Sequence, residues 1–129
     1  MTLYLSVDQI LALHAELIEE FGGGTGLRDR GVLESAAARP AMTFGGEDLY
    51  EDAAAKAAAL LHSLVLNHPF LDGNKRVGIH ATEFFLEMNG WSLAATDDEL
   101  EELTLAVARG QIAAEALAIW FRQRLRSSD

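Results

Sequence analysis

The stretch His68-Pro69-Phe70-Leu71-Asp72-Gly73-Asn74-Lys75-Arg76 lies between two apolar segments, and its reading decides the fold. Upstream, from about Glu51, the residues Ala54, Ala57, Ala58, Leu61, Leu64, Val65 and His68 recur at spacings of three and four. That is the period of a helix face, on a segment rich in alanine, the strongest helix former. Pro69 stops this helix, because its ring clashes with the preceding turn and it brings no N–H. Downstream, Val77, Ala81, Phe84, Phe85 and Met88 form a second helical stripe that begins after Asn74 and ends at Asn89-Gly90. Two core helices therefore flank one short polar turn, with His68 closing the first helix and a glycine-containing turn opening the second.

Outward from this pair the helical pattern continues. Ser6 with Gln9 is a capping-box signature, followed by a stripe of Val7, Ile10, Leu11, Leu17, Ile18 and Phe21 that ends at Gly22-Gly23-Gly24. A short helix is expected over Asp29 to Arg39, since Pro40 disfavours helical geometry in the residue before it. Residues 40–50 read as a loop. Trp91 to Ala94 suggests a brief strand, with residues 3–5 as its expected partner, before Thr96 and Glu99 offer a second capping box. Leu100, Leu103 and Val107 mark a helix ending near Gly110. Ala113, Leu117, Trp120 and Phe121 mark a last one, fraying into Arg126-Ser127-Ser128-Asp129. The expected fold is an all-α bundle of about six helices in one domain spanning residues 1–129, with room for one very short β pairing.

Composition narrows the function classes. A chain of 129 residues that is 50% hydrophobic can build one core, burying about two-thirds of the surface its open form exposes. Its formal charge of -10 repels phosphate backbones and anionic lipid, so neither nucleic acid nor membrane is an expected partner. With no cysteine, disulfides, thiolate nucleophiles and cysteine-based zinc sites are excluded. Met1 to Ile10 carries no apolar block behind a basic start, and no stretch approaches the roughly 18 uncharged apolar residues of a membrane span. A soluble, cytoplasmic protein is expected.

The chemistry concentrates in the turn. The free N–H groups and dipole at the start of the second helix favour an anion, and Gly73 lets backbone approach a phosphate closely. Lys75 and Arg76 add positive charge in a first helical turn, where the dipole alone would prefer acidic residues. Asp72 offers the hard carboxylate oxygen that Mg²⁺ takes alongside substrate phosphates and water. His68 is of the residue type that most often serves as a general base, and it can accept a proton from an attacking hydroxyl. Base, metal ligand and phosphate clamp together describe transfer of a phosphorus-containing group.

Other features read as structural. Gly22-Gly23-Gly24-Thr25-Gly26 is followed by Leu27-Arg28-Asp29 rather than the Gly-Lys-Ser/Thr of a P-loop, so a helix stop and turn suffices, and Arg28 reads either as holding a flap or a ligand or as a surface residue. His14 sits in the apolar stripe of the first helix and reads as hydrogen-bonded structure. His62 and His68, six apart, do not share a helix face as a zinc pair would. The run Asp97-Asp98-Glu99 is a solvated helix start.

At the turn the chain resembles the Fic/Doc superfamily, whose signature is His-Pro-Phe-x-Asp/Glu-Gly-Asn, then a small residue or Lys, then Arg. Most Fic enzymes carry glycine where this chain has Lys75, and with the chain's length that departure resembles the death-on-curing branch, the Doc toxins of type II toxin-antitoxin pairs. Gly26-Leu27-Arg28-Asp29 with Leu33-Glu34, and Asn89-Gly90 with Val107-Ala108-Arg109-Gly110, are similar to that branch as well. The resemblance implies a Fic fold and ATP-dependent modification of a protein hydroxyl. It implies His68 as base, Asp72 as Mg²⁺ ligand, Asn74, Lys75 and Arg76 as phosphate binders, Gly73 as a backbone contact, and Phe70 packed into the core. Lysine at 75 would crowd the hollow that Fic AMP transferases use, and the resemblance to Doc toxins implies a nucleotide bound the other way round, with its γ-phosphate presented, and hence a kinase. In Doc toxins the target is a threonine of elongation factor Tu, and modification halts translation.

The same resemblance implies a cognate antitoxin whose disordered segment folds into a helix on the toxin, acting in trans. It also makes residues 40–50 either a flap that aligns the target chain or a plain loop. Two other functions stay open at this point. One is an AMP transferase, compatible with Asp72-Gly73-Asn74. The other is an idle peptide-binding module, whose binding would be indifferent to His68.

Overall fold

The structure is a computed structural model that describes residues 1–128. Six α-helices run through the described residues: α1 Val7–Phe21, α2 Arg30–Ala38, α3 Ala53–Leu66, α4 Asn74–Met88, α5 Asp97–Ala108 and α6 Ala114–Arg124. Both expected capping boxes form: Ser6 and Gln9 close the start of α1, Thr96 and Glu99 that of α5. Asp29 and Asp52 cap α2 and α3 by accepting N–H bonds from Val32 and Ala55.

The centre is α3. It is apolar on nearly every side, as a fully enclosed helix must be, and α4 and α6 pack along it. Its alanines let neighbours come near, and Gly78 of α4 packs tightly against its valine and leucine side chains. A Cβ there would stand 2.8 Å from Val65 Cγ2 and 3.2 Å from Leu61 Cδ1. Ile10, Leu33, Phe70, Phe85, Leu117 and Phe121 complete the core from the surrounding elements.

The strand expected at 91–94 exists, but its partner is different. Trp91–Leu93 (β3) pairs antiparallel with Leu125–Ser127 (β4), in register Trp91 with Ser127 and Leu93 with Leu125. Residues 3–5 are not in the ladder because Asn89 intercepts them: its Oδ1 accepts from Leu3 N–H at 2.8 Å and its Nδ2 donates to Leu3 O at 2.9 Å. The tail expected to fray is therefore ordered as β4 through Ser127, and Asp129 lies outside the described residues.

Residues 40–50 are more than a loop. After a 3₁₀ turn at Arg39–Ala41, Thr43–Phe44 (β1) and Glu47–Asp48 (β2) form a hairpin. Gly45 and Gly46 at its tip have φ of 62° and 84°, the left-handed geometry that a two-residue hairpin turn demands. Lys56, only 2% exposed on α3, anchors its base by donating to Pro40 O at 3.1 Å and Asp48 Oδ2 at 3.2 Å. Arg39 adds bonds to the Tyr50 hydroxyl at 2.7 Å and Ser63 Oγ at 2.9 Å.

Two aromatic rings placed on core stripes by their spacing are half exposed. Phe84 adjoins Phe85 on α4, and since neighbours on a helix point about 100° apart only Phe85 faces α3. Phe21 ends α1 and overhangs a cleft against α4 and α5.

Candidate active site

His68 does not close α3. The helix ends at Leu66, Asn67 caps it, and His68 leaves it exposed at φ 49°, the one described non-glycine residue in the left-handed region. Pro69 disfavours right-handed geometry in the residue before it, which breaks the periodicity that had placed His68 on the stripe. A left-handed residue after a helix is normally glycine, and a side chain there costs roughly 1–2 kcal/mol. The imidazole is thus carried out of the core by a strained backbone.

The loop beyond it is braced from inside and outside. Phe70 is buried and stacks on His14 of α1, ring centres 3.8 Å apart and nearly parallel. His14 Nε2 lies 2.8 Å from the main-chain oxygen of Asp72, so this nitrogen carries the proton and donates. Asn74 bridges back across the turn, its Oδ1 accepting from Phe70 N–H at 3.0 Å and its Nδ2 donating to Phe70 O at 2.9 Å. The same Nδ2 lies 3.5 Å from His68 Nδ1, at the outer limit of a hydrogen bond. Asn74, expected to bind phosphate, spends most of its side chain holding the loop.

A second brace is the segment between α1 and α2. Gly24 N–H donates to Asp72 Oδ2 at 3.1 Å, Leu71 N–H to Gly26 O at 3.2 Å, and the N–H groups of Arg28 and Asp29 both to Pro69 O. The Arg28 guanidinium donates from Nη2 to Asn67 O at 2.6 Å and from Nε to His68 O. Gly23 sits at φ 121°, and a Cβ there would come within 2.7 Å of Asp72 Oδ2, so only glycine fits.

Asp72 is exposed, with its carboxyl held below the usual carboxylate range by the N–H groups of Gly24 and Gly73, helped by the charge of Arg76. It is ionised at neutral pH and fits a hard divalent cation as a single protein ligand. No group of three or more His, Asp or Glu gathers as a metal cage among the described residues.

Gly73 begins α4 with φ 79°, and unlike the starts of α1, α2, α3 and α5, this one has no side-chain cap. Lys75 and Arg76 stand in its first turn, with the Arg76 guanidinium 4.3 Å above the Phe21 ring. These residues, with Asp72 and Asn74, form one end of a cleft of about 600 Å³. Glu83, Asp97 and Glu101 also line the cleft, and burial pushes the Glu83 carboxyl up. His68 is not among the residues that line the cleft; it stands at the other end of the loop, next to the end of α3.

The structure therefore brings five of the six expected residues, Asp72 through Arg76, to one cleft, with His68 on the same loop. Sequence reasoning missed the strap from Gly22 to Asp29. A signal was present: four glycines in the five residues 22–26 are more than a helix stop requires.

A cation-bearing, uncapped helix start is thus joined by a braced loop to an exposed imidazole and an ionised carboxylate in a mostly helical chain. The chain belongs to the Fic/DOC family, whose profile matches residues 4–86. It is 45% identical over 98 residues to Toxin Doc of Mycolicibacterium smegmatis, covering 76% of this chain and 73% of that protein. It is 29% identical over 126 residues to Protein kinase doc of Escherichia phage P1, covering 98% of each. No helix among the described residues is long and apolar enough to cross a membrane.

Proposed function

We propose that this chain is the toxin of a type II toxin-antitoxin pair and acts as a protein kinase, transferring the γ-phosphate of ATP to a threonine or serine hydroxyl, with elongation factor Tu as the target. The observation that carries the reading is Lys75 beside Arg76 in the uncapped first turn of α4, one residue beyond Asn74 and three beyond the ionised Asp72. The names of the two relatives support it, one a toxin and the other a protein kinase.

In this reading the N–H groups at the start of α4, with Lys75 and Arg76, hold the phosphates by charge-assisted bonds. Asp72 would hold Mg²⁺, which neutralises phosphate charge when bound. His68 takes the proton from the target hydroxyl as its oxygen bonds to the γ-phosphorus. The bond from that phosphorus to the bridging oxygen breaks, and ADP leaves with the electron pair. Asn74 Nδ2 faces His68 Nδ1 and can only donate, which favours the lone pair on Nδ1; proton uptake at Nε2 requires this long contact to give way.

A toxin needs restraint, and the proposal includes an antitoxin whose disordered segment folds on binding. Ordering that segment costs free energy that its buried apolar surface must offset. Expression of the chain should arrest growth and translation, and co-expression of the antitoxin should relieve the arrest. His68→Ala should be harmless; arrest by that variant equal to wild type would reject the kinase reading.

A further inference from the structure

We infer that Arg28 is a positioning residue for His68, a guanidinium clamp that fixes the backbone turn from which the imidazole projects. This rests on the reading of His68 as the base. Arg28 forms no ion pair among the described residues. One edge of its guanidinium spans the consecutive carbonyl oxygens of Asn67 and His68, where α3 has ended and the chain enters its left-handed residue. The positive charge therefore sits at the negative end of the α3 dipole and on the peptide units flanking the strained turn.

Three further bonds keep Arg28 itself in place. Its own N–H and that of Asp29 donate to Pro69 O at 2.8 and 3.1 Å, and Leu71 N–H donates to Gly26 O. Leu27 and Phe70 pair as an isolated antiparallel bridge between the same two segments. The backbone on both sides of His68 is thus fixed to one segment, while the imidazole is exposed and its one hydrogen-bond contact among the described residues, at 3.5 Å, is to Asn74. Precise placement of that ring has to come through its main chain. A fork of two N–H groups can hold two successive carbonyls in register, whereas a lysine ammonium supplies charge without the fork.

Misplacing a catalytic group by about 1 Å can cost on the order of 100-fold in rate. Arg28→Gln should therefore lower kcat for γ-phosphate transfer by roughly 10- to 100-fold and leave KM for ATP within about twofold. Arg28→Lys should recover only part of the loss. In a His68→Ala background Arg28→Gln should have no further effect on the residual rate, because the two substitutions remove one function.

The imidazole NMR signals give a readout independent of activity. In Arg28→Gln, or in Arg28→Lys should the former not fold, the His68 signal should move while those of His62 and His80 stay. A wild-type chain that transfers no label, with the His68 signal displaced in the variant, would reject the kinase reading and keep the clamp. A variant with wild-type kcat and an unmoved His68 signal would overturn the clamp.

Discussion

His14 on α1 and Asp72 on the loop before α4 are joined by a 2.8 Å hydrogen bond from an imidazole nitrogen to a main-chain oxygen, across 58 positions of sequence. The bond fixes the height of the loop against α1, and the stacking of the same ring on Phe70 fixes its tilt. His14→Phe keeps an aromatic ring but removes the donor, so it should lose about 1 kcal/mol of stability, with a further loss of phosphoryl transfer as Asp72 shifts. Urea unfolding followed by fluorescence, and a transfer assay on the same preparation, would measure both.

The left-handed backbone of His68 carries a cost in stability. His68→Gly and His68→Ala both remove the imidazole and should both be inactive, yet glycine adopts φ 49° without the Cβ penalty. The glycine variant is expected to be more stable than the alanine variant by about 1 kcal/mol, read from the two denaturation midpoints. Equal midpoints would mean the turn is unstrained.

Gly78 reverses the usual helix rule. Replacing an interior helical glycine by alanine ordinarily stabilises by about 1 kcal/mol. Here the added methyl would meet Val65 at 2.8 Å and Leu61 at 3.2 Å in the packed seam of α3 and α4. Gly78→Ala should therefore destabilise by about 1–3 kcal/mol, visible as a lower thermal midpoint.

Acid acts on the site through Asp72. Its carboxyl is held below the usual range by the N–H bonds from Gly24 and Gly73, so folding favours the charged form. The stability it contributes is fully present above the ordinary carboxylate range, begins to fall as pH drops into that range and is gone once pH has fallen below the lowered value. The gap in unfolding free energy between wild type and Asp72→Asn should accordingly be widest near neutral pH and close on strong acidification. Mg²⁺-dependent nucleotide binding should be lost in the variant at every pH.

Much of this was legible in the sequence because it is local. Helix periods, the capping boxes at Ser6 and Thr96, and the sense of a polar turn between two core helices all lie within a few residues. What could not be read depends on distant partners. Asn89 diverts residues 3–5 from a strand that residues 125–127 then complete. The glycine run, read as a helix stop, also brings Gly24 and Arg28 across to Asp72 and His68. His68 itself fits the α3 period, and only the proline after it signals that the backbone leaves the helix.

The most direct test is to incubate the purified chain and its His68→Ala variant with elongation factor Tu, Mg²⁺ and ATP labelled on either the α- or the γ-phosphate. The account predicts label on the factor from γ-labelled ATP alone, with wild type only. Label arriving from α-labelled ATP, or transfer that survives loss of His68, would contradict it.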